Sequence, residues 1–133
     1  MRRTVHRRGS VLGAEGVQMG TRMLASRGRW STANFKNAIL AASDSGTVLL
    51  DIPGNPTMRV LRAGLAARVA AHDPRAQLLG KVTELYFDGD MDASVANTGQ
   101  VSSRIDELLP VAEIVRGTWA EIEAVLDAAR SRI

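Results

Sequence analysis

The stretch that most constrains this chain is Leu12-Gly13-Ala14-Glu15-Gly16-Val17-Gln18-Met19-Gly20-Thr21-Arg22-Met23. It reads as a tight turn, a short buried strand and a second turn that opens towards a helix. The period-two geometry of a strand sends Val17 and Met19 to one face and Gln18 to the other. Gly20 removes the side chain where the strand ends, Thr21 adds a hydroxyl and a backbone N–H, and Arg22 adds a positive charge. A bare glycine, amides and a cation at a strand's C-terminal end suit a phosphate group. The same letters also suit an ordinary glycine turn, so spacing alone leaves both readings open. A lone strand cannot satisfy its own edges.

Beyond this stretch the chain alternates short helical and extended signals. Arg27-Gly28-Arg29-Trp30 reads as a loop, and Ser31 or Thr32 can cap a helix with Phe35, Ala38, Ile39 and Ala42 on one face. Ser43-Asp44-Ser45-Gly46 has turn chemistry, Thr47-Val48-Leu49-Leu50 is a β-prone run, and the stretch from Asp51 to Pro56 breaks the chain. Thr57 can cap a second helix, with Met58, Leu61, Leu65 and Val69 at helical spacing and Arg59, Arg62 and Arg68 mostly off that stripe as a solvated face. Asp73-Pro74 stops it or starts the next, an amphipathic turn through Gln77, Leu78 and Leu79. His72 falls at a helix end, where a cap role is expected. His6 is a lone histidine with no partner spacing.

Asp88-Gly89-Asp90-Met91-Asp92 opens like a calcium loop, but the sixth position is Ala93 and the twelfth is Gly99, where glycine and glutamate are required. A turn with solvated acids is expected instead. The clearest helix is the last. Pro110 suits its first turn, and Val111, Ile114, Val115, Thr118, Ile122, Val125, Leu126 and Ala129 form one apolar stripe flanked by Trp119. Such a stripe has to pack on something.

Composition narrows the function classes. The 133 residues, 45% hydrophobic and 23% charged, describe one globular domain at most, and no apolar run is long enough to cross a membrane. With no cysteine, thiolate catalysis, disulfides and thiolate metal sites are excluded, and a reducing cytoplasm is the expected location. Met1 to Lys36 carries eight Lys/Arg and one Glu; the rest carries nine against thirteen acids. Basic leaders can bind nucleic acid or anionic lipid. Yet only 4% of residues are aromatic, which leaves no stacking platform for bases, and no nucleic-acid or membrane partner is expected. Residues 1–10 read as a basic leader without a secretory pattern, expected to be a shifted frame or late start ahead of the family-like sequence.

The words of the opening stretch change the odds. Gly13-Ala14-Glu15-Gly16-Val17-Gln18-Met19-Gly20-Thr21-Arg22-Met23 resembles the last strand of the FMN-dependent nitronate monooxygenases, and the related flavin-dependent enoyl-ACP reductases look similar here. Later blocks agree in order: Asn34-Phe35-Lys36, Ala41-Ala42-Ser43-Asp44 to Thr47-Val48-Leu49, Gly89-Asp90-Met91-Asp92 followed by Gly99-Gln100, and Pro110-Val111-Ala112-Glu113-Ile114-Val115. The resemblance implies an α/β fold, the C-terminal fragment of a TIM (β/α)₈ barrel, mostly helical with one or two short strands, over residues 11–133. It implies FMN as cofactor. By matching positions, Gln18, Met19, Gly20 and Thr21 are the FMN-binding stretch, and Gln100 is a candidate for lining the pocket.

The family's activity is oxidation of a small nitronate with oxygen, giving a carbonyl compound and nitrite. A barrel of this type needs roughly 250 residues. The glycine-rich partner loop and the usual catalytic histidine have no counterpart in this sequence, and neither His6 nor His72 matches that histidine. The expectation is a chain without catalytic residues, inactive and weak or silent towards FMN on its own. A relative of the enoyl-ACP reductases and a non-catalytic helical interaction module, self-associating through its apolar helix faces, remain the alternatives.

Overall fold

The computed structural model describes residues 13–51, 56–72 and 81–131. The basic leader and the turn read around Asp73-Pro74 and Gln77 to Leu79 lie outside them. In chain order the elements are α1 (Thr21–Leu24), β1 (Ser26–Arg27), α2 (Ala33–Leu40), β2 (Thr47–Leu50), β3 (Met58–Leu61), α3 (Leu65–Ala70), a wide π-type turn (Glu84–Asp88), a 3₁₀ turn (Gln100–Arg104), β4 (Leu109–Pro110) and α4 (Val111–Arg130). The result is an α/β fold with helices and a few short strands. Among the described residues no helix is long and apolar enough to cross a membrane.

Two ladders organise it. β1 and β4 pair in parallel, Ser26 beside Leu109 and Arg27 beside Pro110. β2 and β3 form an antiparallel pair with Thr47 opposite Leu61 and Leu50 opposite Met58. The expected strand at Thr47–Leu50 is present. The helix expected from Thr57 is not: Met58–Leu61 is β3. The helical template fitted Met58, Leu61 and Leu65, but Gly64 adopts φ 51° and ψ −131°, which no helix can pass through. The chain therefore returns beside β2 and becomes helical only from Leu65. His72, at φ 58°, closes α3 in the left-handed conformation, its N–H bonded to the Val69 carbonyl.

The hairpin carries a third, irregular segment. The Leu61 N–H donates to Ala96 O at 2.9 Å, the Thr98 N–H donates to Arg59 O at 3.1 Å, and Val60 bridges Asn97. The core lies on both faces of the hairpin: Ala25, Phe35, Ile39, Leu61, Leu85, Ala96 and Ile105 cluster on one, and Leu50, Val60, Leu65, Ala66 and Val95 on the other. Phe35 meets Tyr86 edge-on at 5.0 Å between ring centres. The arginines are tied at the surface: Arg59 to the Thr47 hydroxyl, Arg62 to the Ser45 carbonyl, and Arg68 to Asp92 at 3.1 Å.

α2 begins where expected, but neither candidate cap works by its side chain. The Ser31 hydroxyl donates back to Leu24 O at 2.9 Å, and the Thr32 hydroxyl is buried with no partner among the described residues. α4 is the helix the sequence describes, yet among the buried hydrophobic residues it contributes only Ile114. Val115 and Trp119 stand 49% and 62% exposed.

Burial of Tyr86 pushes its phenol above the ordinary value of about 10, and the Asn97 N–H donated to its oxygen at 3.2 Å opposes that shift. The native state therefore holds the phenolic proton more tightly than the unfolded chain. The stabilisation is full below the unfolded value near 10 and is lost as pH rises through the higher folded value. Denaturant midpoints measured from pH 8 upwards are expected to fall more steeply above about pH 10 in the wild type than in Tyr86→Phe.

Candidate functional site

The opening stretch folds differently from a buried strand. Residues 14–19 make no ladder among the described residues, and 13–18 are exposed, with Met19 half-buried. The sequence allows a strand here. Among the described residues no strand pairs with it, and an unpaired segment is not a strand. The phosphate-like signal that follows is in place. Gly20 precedes the single turn α1, and its carbonyl accepts the N–H groups of Met23 at 2.9 Å and Leu24 at 3.1 Å. The amides at the start of such a turn have no acceptor within it.

Among the described residues, a Cβ added to Gly20, or to Gly16, would meet nothing within 4 Å. The turn therefore faces open space, with room for a ligand group against bare backbone. Gln18 is exposed beside it. Met19 points the other way, towards α4: its Sδ lies 3.9 Å from the Thr118 hydroxyl, which donates to Ile114 O at 2.8 Å.

Thr21 is buried, and its hydroxyl is engaged. The Gly99 N–H donates to Thr21 Oγ1 at 2.8 Å. This bond spans most of the chain and brings together two stretches that the sequence singled out separately, Gln18 to Thr21 and Gly99-Gln100. Gln100 opens the 3₁₀ turn with an exposed side chain, adjoining the site. The turn it starts is fastened below by Ser102, whose hydroxyl donates to Gly99 O at 2.8 Å with the residue fully buried. No sequence signal pointed to the Thr21–Gly99 contact, because its partners are 78 residues apart.

Arg22 reaches across the chain. Its guanidinium donates to Glu107 O at 2.7 Å and more weakly to Ala25 O at 3.4 Å. The cation expected to face a phosphate instead clasps the segment entering β4. Buried polar side chains fasten the backbone on either side of β1: before it the Ser26 hydroxyl donates to Met23 O at 2.7 Å, and after it Lys36 Nζ donates to Arg29 O at 3.0 Å.

The acidic loop from Asp88 is a turn. Gly89 takes φ 81° with its carbonyl accepting from Asn34 Nδ2, and the Asp92 N–H donates to Asp90 Oδ1 at 2.9 Å. No group of three or more potential metal ligands gathers among the described residues.

The Thr21–Gly99 bond makes a clean prediction. Thr21→Val removes the acceptor and leaves the Gly99 amide unsatisfied, for a loss of about 1–2 kcal/mol. Thr21→Ser keeps the oxygen and is expected to lose less. Amide hydrogen exchange at Gly99 reads the contact directly: faster in the valine variant, near wild type in the serine variant.

With this geometry in hand, the chain can be set beside known proteins. The family model for nitronate monooxygenase matches residues 10–121. The structure of FabK from Thermotoga maritima superposes with a TM-score of 0.82 at 31% identity, covering 96% of this chain and 44% of FabK. A methionine-to-alanine mutant of the same protein gives 0.77 at 31% identity, covering 93% of this chain and 38% of FabK. The chain thus spans less than half the length of these solved structures and carries the corresponding part of their barrel fold. It belongs to the nitronate monooxygenase family.

Proposed function

We propose that the Gly20 turn is the phosphate end of an FMN site, in an FMN-dependent oxidoreductase of the nitronate monooxygenase type. The observation that carries this reading is the open glycine turn at Gly20 inside the segment matched by the family model. The residues present fit a phosphate monoester. The amides at the start of α1 offer donors, and the bare glycine lets phosphate oxygens approach the backbone. Gln18 and Gln100, both exposed, carry uncharged amides next along the chain to the turn and to its Gly99 partner.

The flavin supplies the redox chemistry when bound. The part of this chain is to orient it: the turn holds the phosphate, and the Thr21–Gly99 bond fixes the turn against the segment that carries Gln100. One fastened turn is a fraction of a flavin site, so affinity in the 133-residue chain is expected to be weak, on the order of millimolar, or about −4 kcal/mol.

The FabK likeness at 31% identity favours a second reading, in which the same site belongs to a flavin-dependent enoyl-ACP reductase relative. Both readings place the phosphate at the same turn.

The test is a backbone amide titration. FMN is expected to shift the resonances of Gly20 and Thr21, and riboflavin, which lacks the phosphate, is expected to leave them in place. Gly20→Val, which fills the open space with side chain, is expected to abolish the shift. Equal shifts with FMN and riboflavin, or shifts elsewhere only, would overturn the assignment.

A further inference from the structure

We propose that the loop from Arg27 to Trp30, together with Lys36, is a second anion site, which takes a phosphoryl group independently of the Gly20 turn. The observation that carries this is a buried charge with no counter-charge. Lys36 is only 9% exposed, yet among the described residues its Nζ meets one partner, the Arg29 carbonyl at 3.0 Å. An ammonium has three donors, and taking it out of water is costly unless it is paired. One carbonyl leaves two donors and the whole charge unanswered. Holding that carbonyl does not require a charge either. Two neighbouring carbonyls are held by neutral hydroxyls, Met23 O by Ser26 and Leu24 O by Ser31.

The loop that Lys36 fastens adds charge of the same sign. Arg27 and Arg29 are exposed, and neither pairs with a carboxylate among the described residues. Gly28 stands between them at φ 77°, and a Cβ there would meet nothing within 4 Å among the described residues. Bare backbone therefore lies between two arginines, on a loop tied to a buried ammonium. The charge count selects the occupant. A carboxylate answers one of the three cations. A phosphate group brings close to two negative charges near neutral pH, with three acceptor oxygens for guanidinium and ammonium donors. Trp30 is placed to report on it, being 48% exposed with the Arg29 guanidinium 6.0 Å from its ring centre.

The experiment titrates the full 133-residue chain with inorganic phosphate, phenyl phosphate and acetate. It is run at about 0.15 M salt, where loose surface attraction is screened. The Gly28 amide and the Trp30 indole N–H are followed by NMR. Both phosphates are expected to shift these resonances along a saturating curve, and acetate at equal concentration to leave them in place. Tighter binding of phenyl phosphate assigns the site to phosphate esters, and tighter binding of inorganic phosphate to the free ion. Lys36→Met, similar in length but uncharged, is expected to weaken phosphate about tenfold or more, and to lose the rise in melting temperature that phosphate gives the wild type. Arg29→Gln, at an exposed position, is expected to weaken it about threefold and decides the matter if the methionine variant does not fold. Arg62→Gln, a cation tied elsewhere to the Ser45 carbonyl, is expected to change nothing. An unsaturated linear response, an equal response to acetate, or wild-type affinity in the Lys36 and Arg29 variants would overturn the proposal. The readout lies at Gly28 and Trp30, so such a failure leaves the flavin phosphate assignment at Gly20 standing.

Discussion

Gly64→Ala is expected to strip away a large part of this molecule's stability and to lower its urea midpoint sharply. A Cβ at that position would lie 2.1 Å from the Met91 carbonyl oxygen and 2.8 Å from its carbon. Those are backbone atoms, with no flexible end to swing aside. The conformation itself, φ 51° with ψ −131°, is one that side-chain-bearing residues avoid. Strain and clash together are expected to cost roughly 3 kcal/mol or more, against a total domain stability of about 5–15 kcal/mol. The damage should spread to the site. Gly64 sits between β3 and α3, and β3 holds Ala96 and Thr98, immediately ahead of Gly99. A urea titration read by circular dichroism gives the loss. Gly28→Ala is the control: its φ is 77° but its Cβ would meet nothing within 4 Å, so only the left-handed penalty of about 1–2 kcal/mol is expected.

Phe35→Ala is expected to be comparably severe, at about 3–5 kcal/mol. Phe35 is fully buried in the cluster with Ile39, Leu61 and Leu85, and its ring edge meets Tyr86. Alanine leaves a cavity at the point where α2, β3 and the π-type turn converge, three elements that cannot all move inward. Phe35→Leu should recover most of the loss. Thermal melts of the two variants check the order. In the alanine variant, the fluorescence of Trp30, stacked on Phe87 at 4.8 Å and edge-on to Tyr86 at 5.8 Å, should change before global unfolding.

The comparison between sequence and structure turns on particular residues. α2, the turn at Ser43 to Gly46, β2 and α4 were legible because each is a local pattern: a periodic stripe, a cluster of turn residues, a β-branched run. β3 was misread because a stripe at helical spacing ran unbroken through Gly64, and glycine is tolerated in helices often enough to hide a backbone reversal. The segment from Gly16 was misread as a buried strand because burial depends on neighbours, which no window of sequence reports. Arg22 shows the same limit at the site. Its position beside Gly20 suggested a phosphate contact, and a carbonyl 85 residues away claims its guanidinium instead. What made Gln18 to Thr21 and Gln100 visible as one group was the family wording. The bond from Gly99 to Thr21 gives that grouping a physical basis.

The two-residue parallel pair of β1 and β4 has a consequence for how such chains change over time. Residues 28–108 leave at Arg27 and return at Leu109, strands whose backbones run about 5 Å apart. Exit and entry points that close together are the geometry of a domain insertion. The insert carries its own interior: of the buried hydrophobic residues, all but Ala25 and Ile114 lie between those two points. Such a module can lengthen or shorten in its outer parts while the Gly20 turn keeps its place, provided that the doorway and the Gly99–Thr21 and Glu107–Arg22 bonds beside it are kept.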